Sequence, residues 1–197
     1  MSTTSAVTNG LQGALLLARG RVEGLRYIAP DRAFAARSFW AIALCIPGDL
    51  FLMLTDWAKA GMPPSIELPP DPAHALALRL LTFLIGWLTF AVLSHGLVFA
   101  LERRELWARY IAAWNWCNVV QQFLLVAAGA IALIGAPGLV VQTIELAVFG
   151  WSLWLEWFTA RHALRVGGLA AASVVGLDVL IGWLIATVTV GGGQLSG

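Results

Sequence analysis

The fold is decided by residues 110–160, which read YIAAWNWCNVVQQFLLVAAGAIALIGAPGLVVQTIELAVFGWSLWLEWFTA. Two apolar runs, residues 110–134 and 138–160, are separated by the tripeptide Gly-Ala-Pro. Each run has the roughly 20 residues that a helix needs to cross about 30 Å of hydrocarbon. Because glycine and proline favour a turn, the pattern predicts two antiparallel membrane-spanning helices that pack side by side.

Three further apolar runs lie outside this hairpin, at residues 38–55, 80–101 and 169–190. The chain has 197 residues, of which 59% are hydrophobic and 12% are charged, whereas about a quarter of the residues in a soluble domain carry charge. We therefore predict an all-α, polytopic membrane protein with one five-helix transmembrane domain over residues 38–190. Residues 1–37 are expected to form a cytoplasmic N-terminal segment, and residues 191–197 an external tail.

The basic residues predict the orientation of these spans. Ten of them lie before span one, between spans two and three, or between spans four and five: Arg19, Arg21, Arg26, Arg32, Arg37, Arg103, Arg104, Arg109, Arg161 and Arg165. The opposite connections hold Lys59 and Arg79. Since Lys and Arg accumulate in cytoplasmic loops, this distribution predicts a cytoplasmic N-terminus and an external C-terminus.

The connecting segments carry weaker signals. Five prolines between spans one and two predict an extended spacer over residues 57–79 rather than a continuous helix: Pro63, Pro64, Pro69, Pro70 and Pro72. Residues 8–29 repeat apolar positions near a period of 3.6, which predicts an amphipathic interfacial helix that either binds anionic lipid or simply anchors the chain. Asp31 is expected to cap the helix that enters the membrane.

Seven polar side chains inside the spans form the candidate intramembrane site: Asp49, His95, Asn115, Asn118, Gln122, Glu145 and Asp178. The two aspartates are expected about 14–16 Å from the cytoplasmic ends of their spans, at about 1.5 Å per residue. A carboxylate at that depth is costly, so each is expected to be paired, protonated or beside a water-filled cavity. Pro47 predicts a kink or a break just before Asp49.

The amides of span three, Asn115, Asn118 and Gln122, recur on one helical face. They are expected to face protein or water, either as interhelical hydrogen-bonding groups or as part of a functional site. Glu156 in span four lies nearer the cytoplasmic boundary, and we expect it to form an ion pair with Arg161.

The sequence carries no recognised catalytic or metal-binding motif. Its histidines occur singly, without HExxH, and neither Ser94 nor Ser152 lies in a GxSxG sequence. Cys45 and Cys117 lie in separate spans and form no CxxC pair. We therefore predict a protein that is not an enzyme and has no metal site or cofactor.

Expected partners follow from the same features. The net charge of +1 gives no general attraction to nucleic acid, and the main partner is the lipid bilayer. In span five the small residues Gly168, Ala172 and Gly176 recur every four positions, a spacing that favours close helix packing. A second small-lined face consists of Asp178, Gly182 and Ala186. One of these rows is expected to pack within the bundle, and the other either packs there too or binds a membrane-protein partner or a second copy of the chain.

Two stretches carry a resemblance to a known family. The five-span layout, SFWAIALCIPGDLFLML (38–54) and RYIAAWNWCNVVQ (109–121) resemble small bacterial membrane proteins grouped with the Ypt-interacting protein (YIP) family. That family is linked in eukaryotes to Rab GTPases and vesicle traffic. Bacteria have neither, so the resemblance implies a shared architecture and places no catalytic residue on this chain.

The leading functional hypothesis is a non-enzymatic inner-membrane protein that acts through helix packing, as a scaffold, assembly or membrane-organising factor. The alternative is a proton-coupled small-solute transporter or channel subunit that uses Asp49 and Asp178 near the midplane. A third possibility, an enzyme with a lipid-facing site, would rely on Glu145 or His95.

Overall fold

The computed structural model describes residues 3–60 and 71–194 of the chain, with side chains over residues 4–57 and 71–187. In these ranges the secondary structure is entirely helical, and five helices are long and apolar enough to cross a membrane. The predicted all-α, polytopic fold with an N-terminal helix is therefore confirmed.

The five long helices are α3 (Trp40–Ala60), α4 (Pro72–Ala100), α5 (Trp107–Leu133), α6 (Gly138–Ala163) and α7 (Gly168–Gln194). The shorter helices before them are α1 (Thr3–Leu17) and α2 (Arg32–Ser38). Two 3-10 helices span Val22–Tyr27 and Arg104–Leu106. Each predicted span overlaps one of α3 to α7.

The start of α4 corrects the predicted spacer. α4 begins at Pro72, and the Asp71 carboxylate caps it by accepting a hydrogen bond from the His74 amide at 3.0 Å. Proline suits a first helical turn, where its missing N–H has no helical partner to lose. The expectation of extended chain is therefore wrong for residues 57–60, which belong to α3, and for residues 72–79. Residues 61–70 lie outside the described part. As a result, Arg79 lies inside a spanning helix.

The entry into the membrane has the predicted cap. The Asp31 carboxylate accepts a hydrogen bond from the Phe34 amide at 2.7 Å and so caps α2, which satisfies a donor that a helix start otherwise leaves unpaired. Phe39 then separates α2 from α3. α3 is continuous through Pro47, so the break that was one of the two predicted outcomes there does not occur.

α5 and α6 form the predicted hairpin. Gly135 in the turn has a φ of +78°, a left-handed conformation that glycine adopts without steric cost. Its amide donates to the carbonyl of Ala132 at 3.3 Å, and Pro137 immediately precedes α6. The two spans are therefore held antiparallel by a turn of very few residues.

α5 is the centre of the bundle. It packs against α1, α2, α3, α4 and α6, while α7 packs against α4 and α6. Every residue from 110 to 117 is buried, as expected for a helix surrounded on all sides.

The N-terminal helix differs from the prediction in extent and in surroundings. α1 ends at Leu17, and a 3-10 helix follows after a turn, so residues 8–29 do not form one continuous helix. α1 packs against α5, where Gly10 lies so close to the Trp116 indole that no side chain fits between them. Ala14 and Leu17 are fully buried. α1 is therefore an integral part of the bundle.

The predicted cytoplasmic segments meet at one end of the molecule. Pro30 and Arg32, from the N-terminal segment, line a common cavity with Arg104, from the α4–α5 connection. The structure thus brings together segments that share a basic character in the sequence.

Candidate functional site

The strongest polar contact in the described bundle is an ion pair between α3 and α4. Arg79 donates to Asp49 through Nη2 to Oδ1 at 2.7 Å and through Nε to Oδ2 at 3.0 Å. Asp49 is 5% exposed. Because both guanidinium nitrogens meet the carboxylate, each charge neutralises the other inside the spanning region. This pair ties the first two spans together.

A small cleft opens beside the ion pair. It has a volume of about 240 Å³ and is also lined by Thr82 and Phe83 of α4 and by Gly182 and Ile185 of α7. It lies in the half of the bundle that holds the start of α4, away from the basic end. The Asp49–Arg79 pair therefore forms part of the wall of a recess between three spans.

A second polar network is completely buried around Asn115 of α5. Its Oδ1 accepts a hydrogen bond from the Trp87 indole N–H at 2.7 Å, and its Nδ2 donates to the Ser38 hydroxyl at 2.7 Å. Ser38 in turn donates to the Ala35 carbonyl at 2.6 Å. One amide thus links α2, α4 and α5, and its polar groups are satisfied without water.

A third polar group joins α5, α6 and α7. Gln121 Nε2 donates to the Ser152 carbonyl at 3.2 Å and approaches Glu156 Oε1 at 3.4 Å. The Glu156 carboxyl lies beside the carboxyl of Asp178, which in turn is close to Trp114. Two carboxyl groups therefore share one part of the interior.

Comparisons of the chain with protein-family models, with curated proteins and with solved structures found no match.

Aromatic rings fill the space between the second and third networks. The Trp114 ring stacks on Phe90 with centroids 4.3 Å apart and meets the edge of Trp87 at 5.3 Å. Trp87 also packs edge to face with Phe83 at 5.4 Å. These rings are core packing groups, and the gap between the two polar networks is closed by bulky side chains.

The remaining predicted site residues do not join a single cluster. Asn118 donates back to the Trp114 carbonyl within α5 at 2.9 Å. Gln122 lies against Gly48 of α3, and its Nε2 is buried without a hydrogen-bond partner among the described residues. His95 is exposed near the basic end, with its ring 4.9 Å from that of Trp107.

Glu145 is half-buried on α6, about 10 Å from the start of that helix at about 1.5 Å per residue. It therefore lies toward the end of the bundle opposite to His95. The predicted ion pair of Glu156 with Arg161 is replaced by the Gln121 and Asp178 contacts, and the Arg161 guanidinium lies 5.0 Å from the centroid of the Trp157 ring.

Several residues that complete these contacts were not among the predicted site residues: Ser38, Arg79, Trp87, Gln121 and Glu156. Arg79 had a signal in the sequence, because Asp71 followed by Pro72 is typical of a helix start. An α4 that begins there makes Arg79 an available counter-ion for Asp49. Ser38 and Trp87 had no comparable signal, since their contacts depend on how the helices are rotated.

No group of three or more His, Cys, Asp or Glu side chains suited to a metal ion occurs in the part of the chain searched. Cys45 and Cys117 are both buried and free, and the Cys117 sulfur lies 3.6 Å from the Thr159 hydroxyl. Their surroundings are those of packing residues.

Proposed function

We propose that the protein is a non-enzymatic integral membrane protein that acts through helix packing, as a scaffold, assembly or membrane-organising factor. The observation that carries this proposal is the bidentate Asp49–Arg79 pair, which uses the most deeply placed charge of α3 to hold two spans together. The Asn115 and Gln121 contacts have the same character, because each links different helices. Interhelical polar contacts of this kind stabilise and specify a membrane bundle.

The outer face of α7 supports a role in binding another membrane helix. Ala172 and Gly176 are exposed, and a Cβ added at Gly176 would meet no atom within 4 Å. These are two members of the predicted small-residue row, and small residues let a neighbouring helix approach closely. A membrane-protein partner or a second copy of the chain is thus the proposed binding partner, within the lipid bilayer.

We also propose a bacterial inner-membrane location with a cytoplasmic N-terminus. The ten-to-two distribution of basic residues supports it, and Arg79, one of the two exceptions, is neutralised by Asp49 inside α4. The resemblance of the 38–54 and 109–121 stretches to small bacterial membrane proteins grouped with the YIP family supports the bacterial location, and only the architecture carries over from that family.

Cross-linking in native membranes tests the scaffold proposal. Ala172→Cys should give one defined cross-linked product with a bifunctional maleimide, while Val92→Cys, on the outer face of α4 and 70% exposed, should not. Two differently tagged copies distinguish a homo-oligomer from a foreign partner, which mass spectrometry of the product identifies. If the Ala172→Cys variant remains a monomer and gives no cross-linked product, the result would count against the proposal.

A second candidate, a proton-coupled carrier or channel subunit, is favoured by one observation. Asp178 lies beside the Glu156 carboxyl, and the ion pair recorded among the described residues is that of Asp49 with Arg79. Neighbouring carboxyl groups in a membrane interior are typical of proton-relay sites. The cleft beside Asp49 would then provide access from the other side of the bundle.

Proton flux into proteoliposomes, measured with a trapped pH-sensitive dye, tests the carrier hypothesis. Asp49→Asn and Asp178→Asn should each abolish a wild-type flux, while Asp56→Asn, at an exposed position of α3, should leave it intact. A wild-type protein that moves no protons, or variants that keep the full flux, would rule out this second candidate.

A further inference from the structure

A polar cavity at the basic end of the bundle takes no part in the three polar networks described above. It has a volume of about 670 Å³ and lies between the N-terminal segment and the α4–α5 connection. Its polar and aromatic lining comes from Arg32, His95, Arg104, Glu105 and Trp107. Those residues come from three separate parts of the chain, so the cavity exists only in the folded bundle.

The charges in this cavity are unbalanced. Arg32 and Arg104 both line it, against the single carboxylate of Glu105, and neither arginine forms an ion pair with a described residue. The Arg104 guanidinium lies 5.7 Å from the centroid of the Phe99 ring, a contact that leaves its N–H donors free for another acceptor. Two arginines that line one cavity without an ion pair favour an anion with several acceptor oxygens.

Two contacts position the aromatic side of the cavity. The Trp107 indole N–H donates to the Ser94 hydroxyl at 3.3 Å, and the His95 ring stands perpendicular to Trp107 at 4.9 Å. His95 is exposed, so a ring N–H can reach a ligand in the cavity. Tryptophan is common at the depth where headgroups meet the hydrocarbon.

The start of α5 forms one wall of the cavity. Trp107 and Ala108 line it, and the 3-10 helix Arg104–Leu106 runs directly into α5, with the Trp107 amide donating to the Arg104 carbonyl. Arg104 and Trp107 are therefore held next to each other by the backbone.

We propose that this cavity is a binding site for a phosphate-bearing anion, held by Arg32 and Arg104 and accepting a hydrogen bond from His95. Phosphate provides the oxygens that two guanidinium groups recognise. The group could belong to the headgroup of an anionic lipid such as phosphatidylglycerol or to a soluble phosphate compound. The position at the ends of the spanning helices is where lipid headgroups lie.

The experiment uses the full-length protein in nanodiscs that contain phosphatidylglycerol and phosphatidylcholine, with retained lipid counted by native mass spectrometry. The wild type should retain phosphatidylglycerol selectively, and the double variant Arg32→Gln/Arg104→Gln should bind it about 30-fold more weakly. The control is Arg161→Gln/Arg165→Gln, which removes the same charge from exposed positions outside both the cavity lining and residues 8–29, and which should retain lipid as the wild type does.

A variant that should increase lipid retention distinguishes a change in the site from misfolding. Glu105→Gln removes the opposing carboxylate, so it should retain about fivefold more phosphatidylglycerol than the wild type. Equal retention by the wild type and by both the Arg32→Gln/Arg104→Gln and Glu105→Gln variants would overturn the lipid form of the proposal.

A second arm separates the two sources of phosphate. In neutral detergent without lipid, inorganic phosphate should raise the thermal unfolding temperature of the wild type but not of Arg32→Gln/Arg104→Gln if the ligand is a soluble phosphate compound. Selective lipid retention without this shift assigns the cavity to a lipid headgroup. If neither signal depends on Arg32 and Arg104, the cavity binds no phosphate and the proposal is wrong.

Discussion

At the scale of single residues, the contact with Arg79 changes the role expected for Asp49. An unpaired aspartate at the centre of a spanning helix costs about 2.5–3.5 kcal/mol on insertion scales. Arg79 meets it with two nitrogens, at 2.7 and 3.0 Å, a geometry that the single ammonium of a lysine cannot reproduce. In the structure the carboxylate is thus part of a neutral interhelical contact.

The ion pair leads to a prediction for stability. Removing one partner leaves the other charge inside the bundle. The Arg79 side chain is 41% exposed, so we expect Arg79→Gln to lower the free energy of unfolding by about 2 kcal/mol, between the values for surface and buried pairs. Unfolding by SDS titration in mixed micelles measures the loss.

The double variant Asp49→Asn/Arg79→Gln should lose less than the sum of the two single variants, because it leaves no unpaired charge. Arg21→Gln is the control, since that residue is exposed and should change stability by less than about 0.5 kcal/mol. Strictly additive losses would show that the pair contributes nothing.

Individual polar residues were only partly predictable. Asn115 and Asp178 were expected to face the protein interior, because apolar lipid offers their side chains no partner. The identity of the partners could not be predicted, since Trp87 and Ser38 meet Asn115 only for one rotation and one relative depth of α2, α4 and α5. His95 was expected inside the bundle, yet the packing of Trp107 holds it at the exposed basic end.

At the scale of helices, α1 is the element whose role the structure changes most. It packs with Ala14 and Leu17 buried and with Gly10 against Trp116, so its position depends on one residue without a side chain. A helix held by lipid headgroups alone would not need this close approach. α1 thus acts as an extra packing element for the central helix.

This contact predicts an effect of Gly10→Leu. The added side chain would collide with the Trp116 indole and displace α1, at a cost of about 1–3 kcal/mol. An Ala14→Cys probe, buried in the wild-type packing, should then react several-fold faster with a maleimide in membranes. Gly96→Leu is the matched control, because a Cβ there meets no atom within 4 Å. Equal labelling in both backgrounds would mean that α1 does not depend on this contact.

Helix number and pairing were more predictable than helix ends and docking. Long apolar runs and the Gly-Ala-Pro turn are local signals, so the five spans and the α5–α6 hairpin follow from the sequence alone. The start of α4 at Pro72 differs from the prediction because proline breaks a helix interior but suits a first helical turn. The docking of α1 depends on complementarity with Trp116, which no periodicity reveals.

At the scale of the whole molecule, the bundle has one central helix and two different ends. α5 packs against α1, α2, α3, α4 and α6, while α7 packs against α4 and α6, so most of the bundle is assembled around α5. One end brings Arg32 and Arg104 together, while the cleft beside Asp49 and Arg79 lies in the other half. By the positive-inside rule, the end with Arg32 and Arg104 would face the cytoplasm.

The orientation leads to a third prediction. A fluorescent protein fused after Glu102, in the basic α4–α5 connection, should fluoresce in the cytoplasm, and alkaline phosphatase fused after Gly197 should be active outside. Exchanging the two reporters provides the control, since each should then be silent. Active phosphatase after Glu102 would reverse the proposed topology.

The central position of α5 also has a consequence for the order in which the chain enters the membrane. Both partners of Asn115, Ser38 and Trp87, precede it in the sequence, so they have already been synthesised when α5 leaves the ribosome. The partners of Gln121 are on α6 and follow it. The partners of Asn115 are therefore present when α5 is inserted, whereas Gln121 has no partner until α6 follows. The short turn at Gly135 shortens that interval, because α6 begins only a few residues after α5 ends.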